Sequence, residues 1–301
     1  SDGRTALSVA ALIGNFSIMK LLMKHSKHLN INSQNRDGLT VLSILALAGK
    51  NEAIKTICSA PFNADPNFVD RNGRTALTIA VIYADEARAG PFPCVWRNGN
   101  KDFRVDPNET FTALLSADAK INLETPLPHC YSAIHEAAKH CKNKKTIEIL
   151  IDLGADPNAV DGFGFTPLMR AVEFGNLLSC EALCKNPKTE KDKVLPQNSK
   201  RKTIRRLSCN ASHTALTLAT LLDDPNKVIK KLLDLGCDCD RETLDGDMAL
   251  RIAVNNNSLN AIAALLGRQT TQKHVYASLL CQIAAGDEKY AESIRKMLAF
   301  S

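Results

Sequence analysis

The chain has 301 residues, 45% apolar and 23% charged, with 38 Lys/Arg against 32 Asp/Glu for a net charge of +6. These figures describe a soluble globular protein rather than a disordered one, and no apolar run reaches the roughly 18 residues that span a bilayer. One Trp and 5% aromatics argue against an aromatic-rich sandwich or a sugar-binding groove, and the ten Cys are scattered rather than framed, as expected of reduced core thiols in a cytoplasmic or nuclear protein.

Taken in chain order, one hexamer keeps returning. "TALSVA" starts at Thr5, "TVLSIL" at Thr40, "TALTIA" at Thr75, "SAIHEA" at Ser132, "TPLMRA" at Thr166, "TALTLA" at Thr214 and "MALRIA" at Met248. The steps between them are 35, 35, 57, 34, 48 and 34 residues. A single period near 34 accounts for four steps, and the other two carry about 23 and about 14 additional residues. The opening "SDGRTALSVA" already stands inside this pattern and has no leader before it, which suggests a fragment of something longer.

Within each period the apolar spacing is helical. "FSIMKLLMKH" places Phe16, Met19 and Met23 on one face, with Asn15 as a suitable N-cap. Asp106-Pro107 and Asp224-Pro225 read as a cap followed by a first-turn proline. Periods close with "ADPNFVDRNG", "GADPNAVDGFG" or "GCDCDRETLDG", compositions that suit turned-out hairpins rather than helix.

These residues resemble the ankyrin repeat family, whose motif runs G-x-T-P-L-H-x-A, a second helix ending in L-L, and G-A-D-x-N. Residues 154–168, "GADPNAVDGFGFTPL", match it almost throughout, and the resemblance covers essentially the whole chain. It implies an all-α ankyrin-repeat solenoid of about seven helix-pair repeats with hairpin tips, in one domain spanning 1–301. An insertion at 85–106 would interrupt the third repeat, and a basic insertion at 186–210 would follow the fifth. The last stretch, "TTQKHVYASLLCQIAAGDEKYAESIRKMLAF", lacks the motif and is expected to form a C-terminal capping helix pair. The motif His survives only at His135, so elsewhere the hydrogen bond at the helix start has to be rebuilt or is weaker.

Catalytic chemistry finds little support. "HEAAKH" (His135 to His140) spaces its histidines five apart, about 140° around a helix, where a zinc protease needs them four apart. His129, Cys130, His140 and Cys141 follow no compact zinc spacing, and "GFGF" (Gly162 to Phe165) lacks the third glycine and lysine of a phosphate loop. No catalytic residue, metal or cofactor is expected, and the chain is read as no enzyme.

The resemblance implies that the two residues ending each first helix face a concave groove. These are Leu12 and Ile13, Leu47 and Ala48, Ile82 and Tyr83, Lys139 and His140, Glu173 and Phe174, Leu221 and Leu222, and Asn255 and Asn256. So apolar a set suits a partner site, or else a surface that the long insertion after Tyr83, with the only Trp, folds back to cover. Arg4, Arg36, Arg71 and Arg74 fall at hairpin tips, where they would suit an acidic or phosphorylated segment or simply meet solvent. Lys185 to Cys209 holds nine Lys/Arg against two Asp/Glu, so the basicity belongs to this stretch and not to the repeats. It reads as a solvated loop, as a basophilic-kinase site at Ser208 after Arg205-Arg206, or as an import signal at Lys200-Arg201-Lys202.

The expected function is a protein–protein interaction module, an adaptor or scaffold holding an extended or helical partner segment, acidic where it meets arginines. No nucleic acid, membrane or small-molecule substrate is expected, and the cytoplasm is the expected location. Two alternatives stand beside it: a regulatory or substrate-recruiting segment of a larger enzyme, channel or ubiquitin ligase, and a nuclear transcription regulator.

Overall fold

Five of the seven hexamers begin with a threonine that caps the helix, while Ser132 and Met248 make no side-chain cap. Thr5, Thr40, Thr75, Thr166 and Thr214 have extended backbones, and each accepts the N–H of the residue three further on. That bond satisfies an amide the helix itself cannot, and contributes about 1 kcal/mol. The structure, a computed structural model, describes residues 5–25, 30–35, 38–70, 73–84, 106–120, 132–194, 213–246, 248–256 and 258–266.

The helix-start hydrogen bonds are rebuilt with hydroxyl groups. His135 Nδ1 lies 2.8 Å from Ser132 Oγ. In four other repeats a Ser or Thr takes the histidine's place. Ser8 donates to Thr5 O at 2.9 Å and accepts the Thr5 N–H at 2.9 Å, and Thr217 does the same with Thr214 at 3.0 and 2.7 Å. Thr78 donates to Thr75 O at 2.9 Å, and Ser43 Oγ lies 3.0 Å from Thr40 Oγ1.

Packing groups the helices into two units, divided between Gly162 and Phe163. In the first unit lie α1 (Ala6–Ile13), α2 (Phe16–His25), α3 (Val41–Leu47), α4 (Asn51–Cys58), α5 (Ala76–Tyr83), α6 (Pro107–Ser116), α7 (Ala133–His140) and α8 (Lys144–Asp152). The second contains α9 (Pro167–Glu173), α10 (Leu177–Lys185), α11 (Ala215–Ala219), α12 (Asn226–Asp234), α13 (Ala249–Asn255) and α14 (Leu259–Leu266). No strand element occurs among the described residues. Helices of a pair pack on each other, and like helices stack along the array: α1, α3, α5 and α7 in sequence, α4 on α6 on α8, then α9, α11 and α13, with α10 on α12 on α14. Every residue of α3 is buried, because it has neighbours on all sides. This is the packing that a single pair cannot supply for itself.

The sequence placed several starts and stops correctly. Asn15 Oδ1 accepts the Ile18 N–H at 3.1 Å, and Asp106 caps α6 with Pro107 in its first turn. At Asp224-Pro225 it is Pro225 that stands directly before α12, and no side chain caps that helix. In four repeats a residue with positive φ follows the second helix, whereas α10 ends on Asn186 with an extended backbone. Gly154 and Gly236 take that role in two repeats, while Asn63 (φ 49) and Asp118 (φ 69) hold it elsewhere. Asn and Asp are the residues that tolerate this conformation best after Gly.

At three junctions the closing turns also tie one repeat to the next. Asn67 and Asn158 N–H groups donate to Asp65 and Asp156 Oδ1 at 2.8 and 2.9 Å. Across repeats, Asp65 N–H donates to Asn32 Oδ1 at 3.0 Å, and Lys120 N–H to Asn67 Oδ1 at 2.8 Å. In the second unit Asp238 N–H donates to Asp192 Oδ1 at 2.9 Å. Residues 186–194, the beginning of the basic stretch, therefore close the fifth repeat in the same way as the ADPN turns close others. The stretch has a place in the ladder because Glu190-Lys191-Asp192 occupies the slot of Asp65-Pro66-Asn67.

Candidate functional site

The residues expected to face a partner come from the last turn of each first helix, and neighbours of different size leave them in different states. In the first unit Leu47 is only 5% exposed and joins Leu39, Ile44 and Ile79 in a core cluster, against which Leu12 and Tyr83 pack from the flanking repeats. Ala48 is buried and Ile82 half-buried. Ile13, at the next position after Leu12, is 70% exposed. The structure thus brings Leu12, Leu47 and Tyr83 together and leaves Ile13 facing outward.

In the fourth repeat the same positions are charged. Glu136, buried one turn earlier on α7, lies 3.3 Å from Lys139 Nζ and 3.4 Å from His140 Nε2. Lys139 is half-buried and His140 exposed. His135 and His140 therefore have different partners, Ser132 and Glu136, as expected of residues five apart on a helix. Cys141 is buried at the repeat's glycine position with an extended backbone (φ −62, ψ 130). His129 and Cys130 lie outside the described residues. The described His, Cys, Asp and Glu side chains bring three ligand atoms within 4.8 Å only at Asp238, Cys239 and Asp240. There the Asp240 N–H donates to Asp238 Oδ1 at 2.9 Å, the same turn found in the other repeats.

In the second unit Glu173 is buried by a partner that sequence reasoning missed. Arg170, 1% exposed, places Nη1 2.5 Å from Glu173 Oε2, and its guanidinium carbon lies 4.4 Å from the Phe165 ring centre and 5.2 Å from that of Phe163. Stacking on aromatic faces is a favoured setting for Arg. The signal was present in the sequence, as an Arg three residues before a Glu and just after "GFGF". With Glu173 turned inward, Phe174 stands 39% exposed. Leu221 and Leu222 are half-buried, and Asn255 and Asn256 exposed. Exposed Ile18 and Leu21 on α2 and Leu178 on α10 are apolar surface that the first-helix rule did not predict.

At the hairpin tips, Arg74 Nε and Nη2 donate to Asp70 Oδ2 at 2.9 and 2.7 Å, and its N–H to Asp70 Oδ1 at 2.8 Å. The guanidinium braces its own hairpin, much as Asn35 Oδ1 accepts the Leu39 N–H at 2.9 Å one repeat earlier. Arg4, Arg36, Arg71, Ser208, the insertion at 85–105, the basic residues Lys200 to Arg206 and the C-terminal stretch from 267 lie outside the described residues.

The family model for ankyrin repeats (three copies) matches residues 7–89 and 104–195, more than half of the chain. The chain belongs to the ankyrin repeat family. Ankyrin repeats are generally protein–protein interaction modules, and their domains are typically non-catalytic. Among solved structures, the human ASB11 ankyrin repeat domain is similar at 22% identity and TM-score 0.54, over 89% of this chain and 99% of that one. The ankyrin repeat domain of Bcl-3, a unique member of the IkappaB protein family, is similar at 21% identity and TM-score 0.56, over 89% and 100%. At these identities the likeness shows the ankyrin fold. Comparison with curated protein sequences gives no match. No described helix is long and apolar enough to cross a membrane.

Proposed function

We propose that this ankyrin repeat chain is an adaptor that holds a segment of a partner protein at the ends of its first helices. The observation carrying the reading is that Ile13 and Phe174, eight residues after their capping threonines, are large apolar side chains left exposed. Both present apolar surface beyond the packed core, and exposed apolar anchors of this size are what a partner's side chains bury. In the first unit Leu12, Ile82, Tyr83, Lys139 and His140 complete the contact surface, with Leu47 as its floor. In the second unit Leu221 and Leu222 flank Phe174, with Glu173 as a buried support. The partner segment is extended or helical, acidic where it meets Lys139 and His140. Ser208 and the basic residues before it are the regulatory element of the same adaptor, which works in the cytoplasm.

The test compares wild type with Ile13→Asp and Phe174→Asp, each first shown to keep its helical content and thermal midpoint. Proteins retained from a cell lysate are quantified and their cross-links mapped. The reading expects a partner cross-linked beside the substituted residue to be lost with that variant. Identical retained partners for all three folded proteins would overturn it.

A further inference from the structure

On α2, Ile18 is 47% and Leu21 56% exposed, at positions that every other described second helix buries or half-buries. Ile18 is the third residue of its helix. The third residues of α4, α8, α10, α12 and α14 are Ala53, Thr146, Ser179, Val228 and Ala261, all buried. In α6, which starts one residue early, buried Thr110 takes the place, as far before Leu114 as Ile18 is before Leu22. Three residues on, in the column of Leu21, stand buried Ala113, Ala182 and Ala264 and half-buried Thr56, Ile149 and Lys231.

Two contacts show which way these columns face. Thr110 Oγ1 donates to Asn51 Oδ1 at 3.1 Å, and Lys231 Nζ donates to Glu181 Oε2 at 2.8 Å. In each case the acceptor lies on the second helix of the repeat before, α4 for α6 and α10 for α12, and those helices pack on each other. Ile18 and Leu21 hold the same places on α2. A repeat that ends a stack turns a polar side outward. On α2 that side is apolar.

We propose that Ile18 and Leu21 form a docking face for the second helix of one further ankyrin repeat, carried on the same polypeptide ahead of Thr5. The occupant follows from continuity with the interfaces already present: α2 receives it as α6 receives α4 and as α12 receives α10. In the occupant, the places that Asn51 and Glu181 hold on those helices are apolar or small, because α2 offers no hydroxyl or ammonium there to bond a polar group. A second copy of this chain fits the face less well. Two α2 helices meeting about a two-fold axis would gather Lys20 and Lys24 of both copies at one contact, with no acidic residue on α2 to offset them. The row of first helices also gains a member ahead of α1, so Ile13 becomes an interior position of the proposed groove, as Phe174 already is.

The experiment labels the folded 301-residue chain, and the complete polypeptide that contains it, with hydroxyl radicals and reads each residue by mass spectrometry of the digest. Exposed Leu178 and buried Ile54 set the two ends of the scale. Ile18 and Leu21 are expected to label like Leu178 in the 301-residue chain at every concentration, and to fall to the level of Ile54 in the complete polypeptide. Leu21→Asp should lower the urea midpoint of the complete polypeptide and leave that of the 301-residue chain unchanged. Neither measurement includes a partner, so the face on α2 stands or falls separately from the adaptor reading. A complete polypeptide with no ankyrin-type helix pair ahead of Thr5, equal labelling of Ile18 and Leu21 in the two proteins, or protection that appears in the 301-residue chain as its concentration rises would each overturn the proposal.

Discussion

The ends of the first helices are sealed by different means in the two units. In the first, Leu12, Leu47 and Tyr83 come from three consecutive repeats and cover one another, an apolar seam in which each residue depends on the next repeat being present. In the second, the seal lies within one repeat: Arg170 and Glu173, three apart on α9, neutralise each other beneath Phe163 and Phe165. An apolar seam tolerates the loss of a little volume, whereas a buried ion pair fails when either member goes, because the survivor keeps its charge without water. Both arrangements leave one large apolar residue outside the seal, Ile13 or Phe174.

Four substitutions separate these cases. Leu47→Asp places an unpaired carboxylate in the seam and is expected to cost about 5 kcal/mol or more, seen as loss of the cooperative transition in urea. Arg170→Ala strands Glu173 and should cost about 3–5 kcal/mol, read from the urea midpoint. Adding apolar replacements at both positions, Arg170→Met with Glu173→Leu, should recover most of that loss. Failure to recover would mean that the pair holds α9 through more than its charges.

A third prediction concerns a weaker seal on the surface of the same unit. Glu181 lies 2.6 Å from Lys185 Nζ and 2.8 Å from Lys231 Nζ, joining α10 to α12. Those hydrogen bonds hold its pKa at about 2, below the ordinary 4.5. A carboxylate whose folded pKa is depressed stabilises the fold fully above its unfolded pKa and stops doing so as pH falls through the folded value. Acid titration from pH 4.5 toward 2 should therefore lose stability more gently in Glu181→Gln than in wild type. The smallest effect is expected for Ile13→Asp, within about 0.5 kcal/mol of wild type by thermal melting. A larger loss there would place Ile13 inside the packing of its repeat.

The repeat itself was legible because the capping threonine, the left-handed closing residue and the ADPN turn recur at fixed offsets, and each has a local cause. The groove was legible only as a set of positions. Leu47 and Ile13 are adjacent columns of the same motif, yet one is buried and the other exposed, since the outcome depends on the size of side chains from the flanking repeats. Arg170 was hidden because a charged residue in a variable motif position reads as surface until its aromatic cover and its partner are seen together. The hydroxyl replacements for the missing histidines were readable in hindsight, because a Ser or Thr stands three residues after four of the capping threonines.

The ladder of closing turns has a consequence for engineering this chain. Its hydrogen bonds join positions 33 residues apart at Asn32 and Asp65, 53 apart at Asn67 and Lys120, and 46 apart at Asp192 and Asp238. The bond is the same in each case although the amount of chain looped out between its ends differs. Closing a longer loop costs only slowly more entropy, so surplus chain has been absorbed without shifting the register of the repeats on either side. A reporter peptide or small binding domain grafted into the segments between 84 and 106 or between 194 and 213 would hang from a frame whose register is fixed elsewhere.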